Sequence, residues 1–105
     1  MPILTLKARD GRTPERSVEL NAAETSTVGR SPDNSVVLND PKVSRTHLRL
    51  VWRDGACWAE DAGSTFGTWH NGEKMSEPVR LAAGDCLVLG GYELVFDAAA
   101  GAPPA

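Results

Sequence analysis

Three short segments carry side chains whose types suit one chemistry. Gly29-Arg30 follows the run Ser26-Thr27-Val28, and glycine permits a tight backbone path beside the long arginine. Ser44-Arg45-Thr46-His47 places a hydroxyl, a guanidinium and an imidazole just before an apolar run. Gly63-Ser64-Thr65-Phe66-Gly67-Thr68 adds three hydroxyls on glycine-containing backbone. Fork-shaped cations, hydroxyl donors and loop N–H groups together suit a phosphate dianion, which accepts several charge-assisted hydrogen bonds. Nothing in this inventory suits bond breaking. Ser64, His47 and Asp61 are the residue types of a hydrolase triad, but no Gly-x-Ser-x-Gly elbow is present. No Gly-x-x-x-x-Gly-Lys-[Ser/Thr] phosphate loop occurs. His47, His70, Cys57 and Cys86 have no metal-ligand spacing. No catalytic residue, metal or cofactor is therefore expected.

The elements that must position these segments read as strands. Apolar residues recur with period two over 3–8, 16–20, 47–52, 56–60, 67–70, 86–89 and 92–96. Turn signals separate them: Asp10-Gly11, Asp54-Gly55, Asn71-Gly72, Gly84-Asp85 and Gly90-Gly91. Asn71-Gly72, with Trp69 before it and Lys74 and Met75 after it, is the strongest hairpin signal, because a type I′ turn needs positive φ at both central residues. The pattern predicts an all-β antiparallel sandwich or barrel of many short strands, with the polar segments as loops that converge at one end. Asn21-Ala22-Ala23-Glu24 is the one helix-like stretch and is too short to stand alone. Alternation is expected to bury Trp52, Trp58 and Trp69 in the core and to set Arg49 and Arg53 on opposite faces of their strand. The domain is assigned to residues 1–97. Residues 98–105, rich in alanine and proline, read as a linker or tail of a module taken from a longer protein.

Size and charge narrow the function further. At 105 residues the chain is long enough for one compact domain and too short for a two-domain enzyme. The net charge is −3, from 11 Lys plus Arg against 14 Asp plus Glu, which lacks the basic footprint of a nucleic-acid binder. That charge is unevenly placed: residues 30–53 hold five cations and two anions, a local +3, and the remainder carries −6. A single phosphate held by a few loop residues needs no global positive charge. No apolar stretch approaches the ~20 residues of a membrane span, and no signal peptide is visible, so a cytoplasmic, reducing setting is expected for the two cysteines.

In order and spacing, Gly29-Arg30, Ser44-Arg45-x-His47, Asp61-x-Gly63-Ser64-Thr65-x-Gly67-Thr68 and Asn71-Gly72 resemble the motif series of a forkhead-associated (FHA) domain. Leu81-Ala82-Ala83-Gly84-Asp85-x-Leu87-x-Leu89-Gly90 resembles that family's closing segment. The resemblance runs from about Thr27 to Phe96. It implies a β-sandwich of FHA/SMAD type whose loops bind a threonine-phosphorylated protein, in trans or in the same chain, for an attached effector domain in kinase-linked signalling. On that resemblance Arg30 forms the main ion pair with the phosphate. Ser44 and Thr65 donate hydroxyls, Ser64 and Phe66 are further phosphopeptide-binding residues of the same loop, and Arg45 adds charge or holds the peptide backbone. Gly29, His47, Gly67, Asn71 and Gly72 are its structural members, with His47 tying loops together.

Phe66 departs from the pattern, since such domains usually carry an asparagine there that hydrogen-bonds the backbone of the bound peptide. A phenyl ring can neither donate nor accept in that way. A lost hydrogen bond costs about 0.5–1.5 kcal/mol, which weakens binding roughly several-fold to tenfold. The alternative is a phosphate-independent interaction domain that uses the same loop face, with Phe66 as an apolar anchor near Trp69; both rings packed inward is the third arrangement.

Overall fold

The computed structural model describes residues 2–9, 11, 15–20 and 24–97. Eleven strands occur among them: β1 (Ile3–Ala8), β2 (Arg16–Glu19), β3 (Ser26–Gly29), β4 (Val36–Val37), β5 (Leu48–Arg53), β6 (Ala56–Asp61), β7 (Trp69–His70), β8 (Glu73–Lys74), β9 (Val79–Arg80), β10 (Cys86–Leu89) and β11 (Tyr92–Asp97). They form a six-stranded antiparallel sheet, β2-β1-β11-β10-β7-β8, and a five-stranded sheet, β4-β3-β5-β6-β9. One pairing departs from the antiparallel expectation: β4 runs parallel to β3, with Val28 opposite Val36 and Gly29 opposite Val37. No helix occurs among the described residues, and none there is long and apolar enough to cross a membrane. Residues 98–105, and Asn21 to Ala23 of the helix-like stretch, lie outside the described residues.

Strand alternation builds the core. Leu4 and Leu6 of β1, Leu87 and Leu89 of β10, and Leu94 and Phe96 of β11 are buried in the first sheet. Val28, Leu48, Leu50, Cys57 and Ala59 are their buried counterparts in the second, and all belong to one cluster. Each large side chain withdrawn from water stabilises the fold by about 1.5–3 kcal/mol. Burial pushes the Cys57 thiol up to about 12, so it stays protonated and acts as a small apolar side chain.

Two expectations about faces are overturned. Arg49 and Arg53 share one outer face, because positions four apart in a strand return to the same side; both reach Glu60, at 3.8 and 3.2 Å. Among the tryptophans only Trp52 packs against the core, its ring 6.2 Å from that of Phe96. Trp58 sits between buried Cys57 and Ala59 and therefore faces outward, as does Trp69, whose partner Val88 lies between buried Leu87 and Leu89. The alternation that buries Cys57 and Ala59 sets Trp58 outside, so a tryptophan's bulk alone does not decide which face is core.

Register explains why the polar loops converge. Val28, Leu48 and Asp61 form one row across β3, β5 and β6, at the end where β3 and β6 finish and β5 begins. The segments 30–35, 38–47 and 62–68 therefore all leave the sandwich from the same end. Asp54 and Gly55, with φ of 51° and 78°, close the β5–β6 hairpin at the other end.

Candidate functional site

Backbone hydrogen bonds join the first two loops. Arg30 N–H donates to Ser44 O at 3.0 Å and Ser31 N–H to Arg45 O at 3.2 Å, so the 30–35 and 38–47 segments run side by side. Asn34 Nδ2 donates to both Ser31 O and Arg45 O. This approach needs glycine at position 29: a Cβ there would overlap the Arg45 carbonyl oxygen and crowd Asn34 Nδ2.

His47 is fully buried and joins the second loop to the third. Its Nδ1 accepts Ser44 N–H at 3.1 Å, so the ring proton resides on Nε2, which donates to Gly67 O at 2.9 Å. Thr65 N–H donates to Ser44 Oγ at 3.1 Å. That bond occupies an acceptor lone pair of the Ser44 hydroxyl and leaves its proton to donate outward.

Asp61 organises the third loop. Its Oδ1 accepts Gly63 N–H at 2.9 Å and Ser64 N–H at 2.8 Å, and its Oδ2 accepts the Ser64 and Thr68 hydroxyls at 2.6 and 2.7 Å. Burial alone would raise the Asp61 pKa, but the hydroxyl and amide of Ser64, the Thr68 hydroxyl and the Gly63 amide outweigh it and hold the carboxyl below its usual range. Ser64 Oγ also accepts Gly67 N–H at 3.0 Å. The Ser64 hydroxyl thus spends its proton on Asp61 and a lone pair on Gly67, both inside the loop.

The charged groups above this frame are left open. Arg30 and Arg45 are exposed, and neither has a carboxylate partner among the described residues. Arg30 Nε donates to Val43 O at 3.2 Å, which fixes the root of the guanidinium and leaves its terminal nitrogens without a hydrogen bond among the described residues. An internal ion pair for Arg30, the ordinary alternative, is absent among the described residues. Exposed Thr65 is tied through its N–H, and no bond to its hydroxyl occurs among the described residues.

Phe66 is 54% exposed, the one large hydrophobic residue so exposed among those described. Trp69 makes no ring contact with it; the Lys74 ammonium lies 5.8 Å from the centre of the Trp69 ring. A cleft of about 360 Å³ opens beside the site, lined in part by Ser64, Thr65, Lys74, Met75 and Pro78.

Behind the site, Asn71 (φ 48°) and Gly72 (φ 88°) close the β7–β8 hairpin as a two-residue turn. Asn71 Oδ1 accepts Cys86 N–H at 2.8 Å, and its Nδ2 donates to Asp85. His70 Nε2 lies 2.8 Å from Asp85 Oδ2. Burial would raise Asp85, but the Ala82 amide, His70 and Asn71 together hold its carboxyl below the usual range.

The structure thus brings Gly29, Arg30, Ser44, Arg45, His47, Ser64, Thr65, Phe66 and Gly67 to one end, and Asn71 and Gly72 to the hairpin that carries the third loop onward. The residue types alone give no role to Asn34, and they offer Asp61 only as a triad residue type and a member of the motif series, not as the carboxylate that organises the third loop. The signal for Asp61 was local: an aspartate two residues before glycine caps its own turn.

Residues 26–90 match the FHA domain family. The chain is 39% identical over 72 residues to the oxoglutarate dehydrogenase inhibitor of Corynebacterium diphtheriae, covering 69% of this chain and 50% of that protein. It is similar in structure to the FhaA FHA domain complexed with the intracellular domain of Rv3910 (TM-score 0.79, 30% identity, 91% of this chain and 99% of that one). It is also similar to a domain solved in a structural and functional analysis of phosphothreonine-dependent FHA domain interactions (TM-score 0.72, 29% identity, 90% and 95% covered). The chain spans about half the length of the curated relatives it matches.

Proposed function

The chain belongs to the FHA domain family, and from that premise we propose that its loop end binds phosphothreonine in a protein partner. FHA domains are phosphothreonine-binding interaction modules, not enzymes. One observation carries the reading to this chain: Arg30 and Arg45 stand exposed without carboxylate partners among the described residues, beside a Ser44 hydroxyl whose proton is free. In this arrangement the phosphate dianion takes the Arg30 guanidinium as its main ion pair. Ser44 and Thr65 donate their hydroxyls to phosphate oxygens, and Arg45 adds charge along the peptide. Ser64 works one layer below, as the strut that sets the loop. The unphosphorylated hydroxyl offers Arg30 nothing that repays its loss of water, so phosphorylation is the discriminating feature. The setting we propose is cytoplasmic, with binding by this module serving an attached effector domain.

Calorimetry with a degenerate phosphothreonine peptide library tests this directly. A phosphothreonine peptide binds and its threonine counterpart does not. Arg30→Ala removes a charged hydrogen-bonding partner worth about 1.5–3 kcal/mol, a loss of roughly tenfold to a hundredfold. Undiminished binding by that variant overturns the proposal.

Exposed Phe66 supports a second reading, a phosphate-independent contact on the same loop face. It requires that phosphatase treatment of the partner leave the complex intact, whereas phosphate-dependent binding requires its loss.

A further inference from the structure

The outer face of the five-stranded sheet carries a patch that the loop end does not use. Alternation turns Arg49, Val51 and Arg53 of β5 outward, together with Ala56, Trp58 and Glu60 of β6. Trp58 is flanked across the sheet by Val51 on one side and by Arg80 of β9 on the other. A cleft of about 180 Å³ opens beside it, lined by Arg53, Asp54, Ala56, Trp58 and Arg80.

The charge of this face runs against that of the chain. Three arginines stand around Trp58 against two carboxylates, Glu60, shared by Arg49 and Arg53, and Asp54 at the cleft, which leaves a local +1. Arg80 is exposed and has no carboxylate partner among the described residues. The excess cation is therefore Arg80, on a chain whose net charge is −3. Trp58 is three residues from Asp61 along β6, roughly 10 Å, so an occupant here leaves the phosphate-binding loops free.

We propose that this face is a second docking surface, for an unphosphorylated acidic segment of a partner protein that carries one apolar side chain. The apolar side chain packs on Trp58 and Val51, and flanking carboxylates pair with Arg80 and with the Arg53 guanidinium at the cleft rim. Arginine and tryptophan are the residue types enriched among those that dominate binding at protein interfaces, and arginine's planar fork matches a carboxylate.

The test uses ¹⁵N-labelled protein and an unphosphorylated decapeptide with a central leucine between aspartates and glutamates. Saturable shifts are expected at the Trp58 indole N–H and the Val51 and Arg80 amides, with the Trp69 indole and the Arg30 and Thr65 amides unmoved. Affinity falls at least about tenfold in Arg80→Glu and in a peptide whose acids are replaced by asparagine and glutamine. A dispersed amide spectrum checks that each variant is folded, and Arg80→Gln, which keeps the stem without the charge, gives an intermediate loss. Three results overturn the proposal: no shifts at millimolar peptide, equal binding of the neutral peptide, or shifts centred on the loop end. Shifts of Trp58 that depend on protein concentration without peptide assign the face to a second copy and overturn it equally. All of these readouts are independent of phosphothreonine binding, so the two proposals fail separately.

Discussion

Phe66 is the residue on which the strength of the proposed site turns. It follows Thr65, whose N–H is fixed on Ser44, and precedes Gly67, whose carbonyl is fixed on His47; its backbone is therefore held while its ring stands in solvent. An asparagine side chain set on that backbone would carry a donor and an acceptor to where a peptide main chain would run. Phe66→Asn is thus expected to tighten phosphothreonine-peptide binding several-fold to about tenfold, the equivalent of one recovered hydrogen bond of about 0.5–1.5 kcal/mol, measured by calorimetry. Loss of a natural partner in the same variant, with phosphopeptide affinity unchanged, would instead make the ring an apolar anchor. Replacing an exposed ring by a polar side chain leaves stability within about 0.5 kcal/mol.

Single residues of this kind act only because the elements beneath them are fixed. The third loop depends on Asp61, the last residue of β6, whose carboxylate accepts from two amides and two hydroxyls. Asp61→Ala leaves the Gly63 and Ser64 amides and the Thr68 hydroxyl seeking partners, and Thr68 is buried. A loss of about 1–3 kcal/mol in urea unfolding is expected, with phosphopeptide binding weakened because Thr65 is no longer held against Ser44. Unchanged binding at equal stability would remove Asp61 from the site's support. Most strands were legible because β1, β5, β6, β10 and β11 each have four to six residues to display a period of two. β4 and β9 escaped notice because two residues display no period; their pairing is decided by β3 and β6 beside them. The loop residues Gly29, Arg30, Ser44, Arg45, His47, Ser64 and Thr65 were legible from their order. Asn34 was not, since nothing in its neighbours says that a carbonyl eleven residues further on will stand within reach of its amide. Trp58 and Trp69 were misplaced for a related reason: which face of a strand becomes core is settled by the opposing sheet.

At the scale of the molecule, the two carboxylates that brace the loop end and the β7–β8 hairpin set its response to acid. Asp61 and Asp85 are both held below the usual carboxylate range by the hydrogen bonds they accept, against a burial that pushes the other way. A carboxyl that ionises at lower pH in the folded chain than in the unfolded one adds stability that is complete above the unfolded value, about 3.9 for aspartate. That contribution is lost as pH falls through the lower folded values. Unfolding free energy is therefore expected to be insensitive to these two groups from about pH 5 to 7 and to decline below about pH 4. The ligand titrates earlier, since the second ionisation of a phosphomonoester lies near pH 6. Phosphothreonine affinity should then fall between about pH 7 and 5 while the fold stays intact. Calorimetric titrations and urea melts run across the same pH series separate the two transitions. If affinity and stability decline together below pH 4, the phosphate binds equally well as monoanion, and the paired cations at the loop end are not what selects it.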